Sequence, residues 1–146
     1  MFRGHYRHTM DAKGRLSIPS RFRDVLADEW GDKLVIVPGG KSLEVYPLKA
    51  WEGLEGRITA LPSQDPDARD FQYRYLSLGQ DVLLDPQGRI QIPADYRERA
   101  DLGKDVLIIG MLKWFEVWNA ERWAHVERDR TGTLDELRAR LAAKGV

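Results

Sequence analysis

The chain has 146 residues, with 23 basic and 23 acidic side chains and no cysteine. That length suits one compact domain or two small fused halves, and the missing cysteines exclude a disulfide scaffold, thiol catalysis and cysteine–zinc sites while fitting a reducing compartment. The N-terminus is charged and no apolar run approaches the ~20 residues of a membrane span, so a cytoplasmic protein is expected.

Phe2 to Met10 reads as the first strand. Alternation puts Phe2, Tyr6, His8 and Met10 on one side and Arg3, His5, Arg7 and Thr9 on the other. The second face is either a solvated strand surface or a platform for backbone phosphates. His5 and His8 face opposite ways in a strand, and His125 is the only other histidine, so no metal site is expected.

Next comes DAKGRLSIPSRFR, Asp11 to Arg23, which returns as DPQGRIQIPADYR, Asp85 to Arg97. At an offset of 74 residues the copies match at Asp11/Asp85, Gly14/Gly88, Arg15/Arg89, Ile18/Ile92, Pro19/Pro93, Phe22/Tyr96 and Arg23/Arg97. The period is too long for a solenoid and marks a duplicated unit, which suggests two halves about a pseudo-two-fold axis. Asp-x-x-Gly-Arg is a tight turn: Asp accepts hydrogen bonds from the backbone ahead of it, and Gly supplies a positive φ. Leu16-Ser17-Ile18 and Ile90-Gln91-Ile92 then alternate as half-buried strands, and Pro19 and Pro93 suit the first turn of a short helix.

Leu34–Val37 is a continuous apolar run, the pattern of a strand buried on both faces. Pro38-Gly39-Gly40 signals a hairpin. Gly40-Lys41-Ser42 resembles the end of a phosphate loop, but Val35 stands where the first glycine belongs and a strand pattern, Leu43–Tyr46, follows where a helix is needed. No nucleotide site is assigned. Pro47 opens a helix with Trp51, Leu54 and Ile58 at helical spacing, Leu61–Pro66 is a linker, and Asp67–Leu78 reads as a second helix. The second copy repeats the plan: a strand to Leu84, the turn, a strand, a short helix, Val106–Ile109, Trp114–Trp118, and a helix capped by Asn119 that carries Trp123 and Val126. An amphipathic run with Leu134, Leu137 and Leu141 ends the chain. The organisation expected is a first repeat over 1–62, a linker and helix over 63–75, and a second repeat with C-terminal helices over 76–146.

MFRGHYRHTMDAKGRLSIPSRFR together with DPQGRIQIPADYR resembles the bacterial MraZ family, from Phe2 to about Trp123. The resemblance implies an α+β, mainly β fold: a duplicated AbrB-like swapped-hairpin (double-split) barrel with flanking helices and interlocked halves. It also implies transcriptional regulation through double-stranded DNA, ring-shaped homo-oligomers, and action on direct repeats upstream of a cell-division and cell-wall gene cluster.

Nothing in the residue pattern sets up catalysis, so no enzyme, cofactor or small-molecule substrate is expected. Zero net charge argues mildly against nucleic acid, but residues 1–23 carry Arg3, Arg7, Lys13, Arg15, Arg21 and Arg23 against Asp11 alone. Arg15 and Arg89 are the candidates for base contact, since arginine pairs with two acceptors of guanine at once. Lys13, Arg3 and Arg7 are the candidates for phosphate, while Asp11, Gly14, Asp85 and Gly88 shape the turns. The competing possibility is that each Asp and Arg pair across their own turn and serve only the fold. A self-assembling scaffold or partner-binding module is the alternative function.

Overall fold

A computed structural model describes residues 1–146. In chain order the strands are β1 (His5–Thr9), β2 (Arg15–Ser17), β3 (Lys33–Pro38), β4 (Leu43–Pro47), β5 (Gln80–Leu83), β6 (Arg89–Gln91), β7 (Asp105–Gly110) and β8 (Phe115–Asn119). The helices are α1 (Ser20–Val25), α2 (Leu48–Thr59), α3 (Pro66–Arg74), α4 (Ala94–Arg99), α5 (Ala120–Arg128) and α6 (Leu134–Ala142). This is an α+β fold whose core is built on β-sheet, as expected.

Six strands form one sheet in the order β1-β7-β8-β4-β3-β5, and β2 pairs with β6 as a separate ribbon. Both sheets are open, and every pairing is antiparallel. Exchanging β1 with β5, β2 with β6, β3 with β7 and β4 with β8 reproduces the same order read backwards. That is the mark of a pseudo-two-fold axis, which passes between β4 and β8 and through the ribbon. The copies interlock: β1 closes on β7 of the second copy, and β5 closes on β3 of the first. The ribbon is laced in the same way, with Ile18 N donating to Gly88 O at 2.9 Å and Ile92 N to Gly14 O at 2.8 Å. A copy of about 70 residues is marginal alone, and here the two share one core.

That core lies between the six-stranded sheet and the layer of ribbon, α1 and α4. Leu16, Ile18, Phe22 and Leu26 of the first copy meet Ile90, Ile92, Tyr96 and Ala100 of the second, with Leu34, Ile36, Val106 and Ile108 from the sheet. Phe2, Phe22 and Phe115 pack at its centre, ring centroids 5.2 to 5.3 Å apart. Burying each such side chain contributes on the order of 1.5–3 kcal/mol. The sheet's other face is covered as well. Val35 and Val37 lie under Trp51 of α2, and Leu107, Ile109 and Trp118 lie under Trp123 and Val126 of α5. The unbroken apolar run of β3 is explained by these two covered faces.

Some boundaries differ from the sequence reading for visible reasons. Gly4, at φ +100°, ends β1 on its N-terminal side, so Phe2 joins the sheet only through a single bridge to Leu112, and Met10, past the other end, makes a single bridge to Leu16. The helix read over Asp67–Leu78 ends at Arg74, and a single 3₁₀ turn, Leu76–Leu78, follows. Tyr75 leaves the helical path at φ −137° as its ring packs against Trp51 and its hydroxyl donates to Glu44. Pro19 and Pro93 sit just ahead of α1 and α4 as caps instead of inside their first turns. Asn119 caps α5 as expected, accepting from Arg122 N at 3.0 Å.

Candidate nucleic-acid interface

Each repeat motif builds the same turn. Asp11 Oδ1 accepts from Lys13 N at 3.0 Å and Arg15 N at 2.9 Å, and Gly14 N donates back to Asp11 O at 3.0 Å. Asp85 does the same for Gln87 N and Arg89 N, both at 2.9 Å, with Gly88 N donating to Asp85 O at 2.9 Å. The chain can close these loops only because Gly14 and Gly88 take φ +82° and +77°.

The second carboxylate oxygen of each Asp holds the arginine. Asp11 Oδ2 accepts from Arg15 Nε at 2.6 Å, and Asp85 Oδ2 from Arg89 Nε at 3.1 Å. The Arg15 amide, and after it the guanidinium, holds the Asp11 carboxyl below its ordinary 3.8 against an opposing desolvation. Arg89 acts on Asp85 in the same way. Both carboxylates are thus ionised acceptors at neutral pH. The Asp–Arg pairing weighed from the sequence is present, and it engages only Nε of each arginine. It leaves the two Nη groups, the forked end that suits two acceptors on a base, without a hydrogen bond inside the protein.

Antiparallel pairing sets Arg15 opposite Gln91 and Ser17 opposite Arg89. Arg15, Ser17, Arg89 and Gln91 therefore share one face of the ribbon, while Leu16 and Ile90, 0% and 1% exposed, point into the core. The two arginines are diagonal neighbours on that face, about 7–8 Å apart by the geometry of such pairs. They line a common open groove of ≈ 690 Å³ whose charged members are Asp11, Arg15, Arg89, Arg97 and Lys104.

Arginines at the end of each motif brace the turn of the other copy. Arg97, on α4, reaches Ala12 O with Nη1 at 3.3 Å and lies against Gly14. Its Nε is buried without a partner. Arg23, on α1, bonds Ile18 O through Nε at 3.2 Å and lies against Gly88.

The structure thus brings Arg15 and Arg89 together, with Lys13 exposed at the tip of the first turn. Arg7 and Arg3 stand apart from them. On β1, Tyr6 turns to the core ring of Phe22, and His5 turns the other way, edge-on to Trp123 at 5.8 Å between centroids. Alternation places Arg3 and Arg7 on the His5 side. Arg7 also borders a depression beside Ser17, Thr9 and Asp105, next to the main groove. Two groove residues were not singled out from the sequence. Arg97 was visible as a matched position of the repeat, but nothing marked it as groove lining. Lys104 carries no motif at all and comes close through a long-range contact, its carbonyl accepting from Met10 N at 2.8 Å.

A family model described as "MraZ protein, putative antitoxin-like" matches residues 1–74 and 78–142. Among curated relatives named "Transcriptional regulator MraZ", that of Syntrophobacter fumaroxidans is 42% identical, over 88% of this chain and 87% of its own length. The Acidithiobacillus ferrooxidans protein is 40% identical over 84% of this chain and 85% of its own. The Alkaliphilus metalliredigens protein is 38% identical over the full length of both. With its doubled Asp-x-x-Gly-Arg turn, interlocked halves and matches across nearly the whole sequence, the chain belongs to the MraZ family.

Proposed function

We propose that this chain is a transcriptional regulator that binds double-stranded DNA through the β2–β6 ribbon. Relatives in the family are named transcriptional regulators, not enzymes. The observation that carries the proposal is the pairing of Arg15 and Arg89 on one exposed ribbon face, each held by Nε alone. The major groove admits a two-stranded ribbon, and an arginine with free terminal nitrogens can meet guanine O6 and N7 together. In this reading Arg15 and Arg89 read bases, and Lys13 contacts phosphate. Arg7, at the rim, and Arg3, on the far side of β1, are the outer phosphate contacts. The carboxylates of Asp11 and Asp85 are neutralised by their own arginines and so do not repel the duplex.

The DNA proposed is a set of direct repeats in the promoter of the chain's own operon, a cell-division and cell-wall cluster, which places the protein on the nucleoid in the cytoplasm. Reading repeats that share one orientation calls for binding units in one orientation, as a head-to-tail ring of copies provides. Joint engagement of several weak sites then raises avidity without new contacts. The exposed apolar residues of α6, Leu134 at 60% and Leu137 at 43%, favour a role for that helix in assembly. Light scattering after gel filtration should give a mass several times 16.8 kDa. A monomer that still bound repeat DNA tightly would remove the ring from this account.

The test of function is retardation of the operon's promoter fragment by the purified protein. Binding should be specific and weaken steeply as salt rises, since phosphate contacts release counterions. A protein that assembles but never retards the fragment would instead be the scaffold considered from the sequence.

A further inference from the structure

The fold is pseudo-symmetric, but the charges around its two turns are not. Two hydrogen bonds identify equivalent places: Met10 N donates to Lys104 O at 2.8 Å, and Leu84 N donates to Asp32 O at 3.0 Å. Met10 and Leu84 are 74 residues apart, and Asp32 and Lys104 are 72 apart, the offsets of the motif and of the strands after it. Beside the first turn therefore stands Lys104, and beside the second, at the same place, stands Asp32. At the turn tips the pair is Lys13 and Gln87, and all four side chains are exposed. The bracing arginines break the symmetry too. Arg23 satisfies its Nε on Ile18 O, whereas the buried Nε of Arg97 has no partner.

Resting on the DNA-binding reading, we propose that the first turn carries a phosphate seat that the second turn lacks, with Lys104 and Arg97 lining the groove beside it and Lys13 standing at its tip. The chain then docks on the duplex in one polarity although its backbone is nearly two-fold symmetric. Four of the five charged residues lining that groove are basic, and the fifth, Asp11, is already paired with Arg15. Across the two positions that differ, a lysine is replaced by a neutral amide and another by a carboxylate. A phosphodiester near the second turn meets Asp32 where it would meet Lys104 near the first. The next residue pair reverses the sign, Asp105 against Lys33, but Asp105 lines the neighbouring depression beside Arg7 and not this groove. Lys33 borders a separate surface with Asp81 and Leu83 at the sheet's other edge. Like charges set against the wrong pole supply specificity by repulsion as well as attraction.

The chain's lack of cysteine makes the polarity directly readable. Single Ala12→Cys and Pro86→Cys variants, one on each turn, are conjugated to an iron–EDTA cleaver and bound to a short duplex carrying one footprinted repeat from the operon promoter. Each conjugate should cut on one side only, and the two should cut on opposite sides of the repeat. Exchanging the charges, with Lys13→Gln and Lys104→Asp combined with Gln87→Lys and Asp32→Lys, should make the two patterns trade places. In wild-type background, Lys104→Ala should lower the slope of log affinity against log salt by about 0.9 per engaged protomer. The same two-sided pattern from both conjugates would overturn the polarity. A one-sided pattern unmoved by the exchange would overturn its assignment to these charges. Failure to bind both this duplex and the whole promoter fragment would overturn the DNA reading itself, an outcome distinct from either.

Discussion

The first and second turns are built on the same backbone plan and carry different surfaces. Asp11 and Asp85 make matching sets of bonds, Gly14 and Gly88 share a positive φ, and Arg15 and Arg89 are held alike through Nε. Lys13 against Gln87 and Lys104 against Asp32 then separate them. The positions that match are those the turn needs in order to close and to aim an arginine. Those that differ are exposed and make no bond the fold requires through their side chains. Duplication has thus kept the scaffold twice while letting its electrostatic surface diverge, and a nearly symmetric molecule gains a direction.

The strongest way to break the comparison is at the glycines. A Cβ at Gly14 would lie 2.7 Å from the carbonyl oxygen of Ile92, a backbone atom of the other copy. A Cβ at Gly88 meets instead the Arg23 side chain, Cδ at 2.5 Å, which can swing aside. Both variants suffer a left-handed φ that a β-branched residue resists. Gly14→Val should therefore cost about 3 kcal/mol or more, strain and backbone clash together, and Gly88→Val about 1–3 kcal/mol. Denaturant unfolding checks the order. Equal losses would mean that the two turns are packed alike after all.

Charge exchange at the turn tips sharpens the comparison without touching the fold. Lys13→Gln should flatten the salt dependence of DNA binding by about 0.9 in slope per engaged protomer, and Gln87→Lys should steepen it if the second turn also lies over phosphate. Titrations at several salt concentrations read both, and melting curves should not move. An unchanged slope for Lys13→Gln would take Lys13 out of the phosphate contacts.

The smallest effect lies on the pseudo-axis, far from the ribbon. Glu44 and Glu116 face each other across β4 and β8, but in different company. Glu116 accepts from the indole of Trp118 at 2.8 Å, while Glu44 accepts from the hydroxyl of Tyr75. Burial above all, with the Glu116 charge adding to it, raises the Glu44 carboxyl above its ordinary 4.5. A raised carboxyl stabilises the fold fully below the ordinary value and loses that contribution as pH climbs through the folded one. Glu44→Gln should accordingly raise the melting temperature modestly at neutral pH, with the advantage fading as pH approaches 4.5. A gain that persisted unchanged in acid would show that packing, not charge, is responsible.

Much of this was legible in the chain because the repeat is local. The Asp-x-x-Gly-Arg spacing gave both turns, and Leu16-Ser17-Ile18 gave the buried and exposed faces of the ribbon. The apolar run Leu34–Val37 gave a strand covered on both sides. Spacing alone did not give the interlocking, since pairing of β1 with β7 joins residues about a hundred apart; the family resemblance supplied that expectation. Nor could it give Lys104, whose place beside Asp11 is fixed by one backbone bond to Met10. Arg3 and Arg7 are the reverse case, basic residues plain in the chain whose place the fold decides. Alternation along β1 sets them on the side of His5 and Trp123, and Arg7 borders the depression beside Ser17 that adjoins the groove.

The central claim, that Arg15 and Arg89 read DNA from the ribbon, is tested most directly by an anisotropy titration of the promoter repeat with Arg15→Ala, Arg89→Ala and the double variant. Because Asp11 and Asp85 still bond the backbone amides of their turns, the variants should melt close to wild type. Each lost contact should cost about 1–3 kcal/mol per engaged site, and the double variant should bind promoter and unrelated duplex equally. Folded variants that still prefer the promoter as wild type does would contradict the account, and variants that unfold would show that the Asp–Arg pairs serve the fold alone.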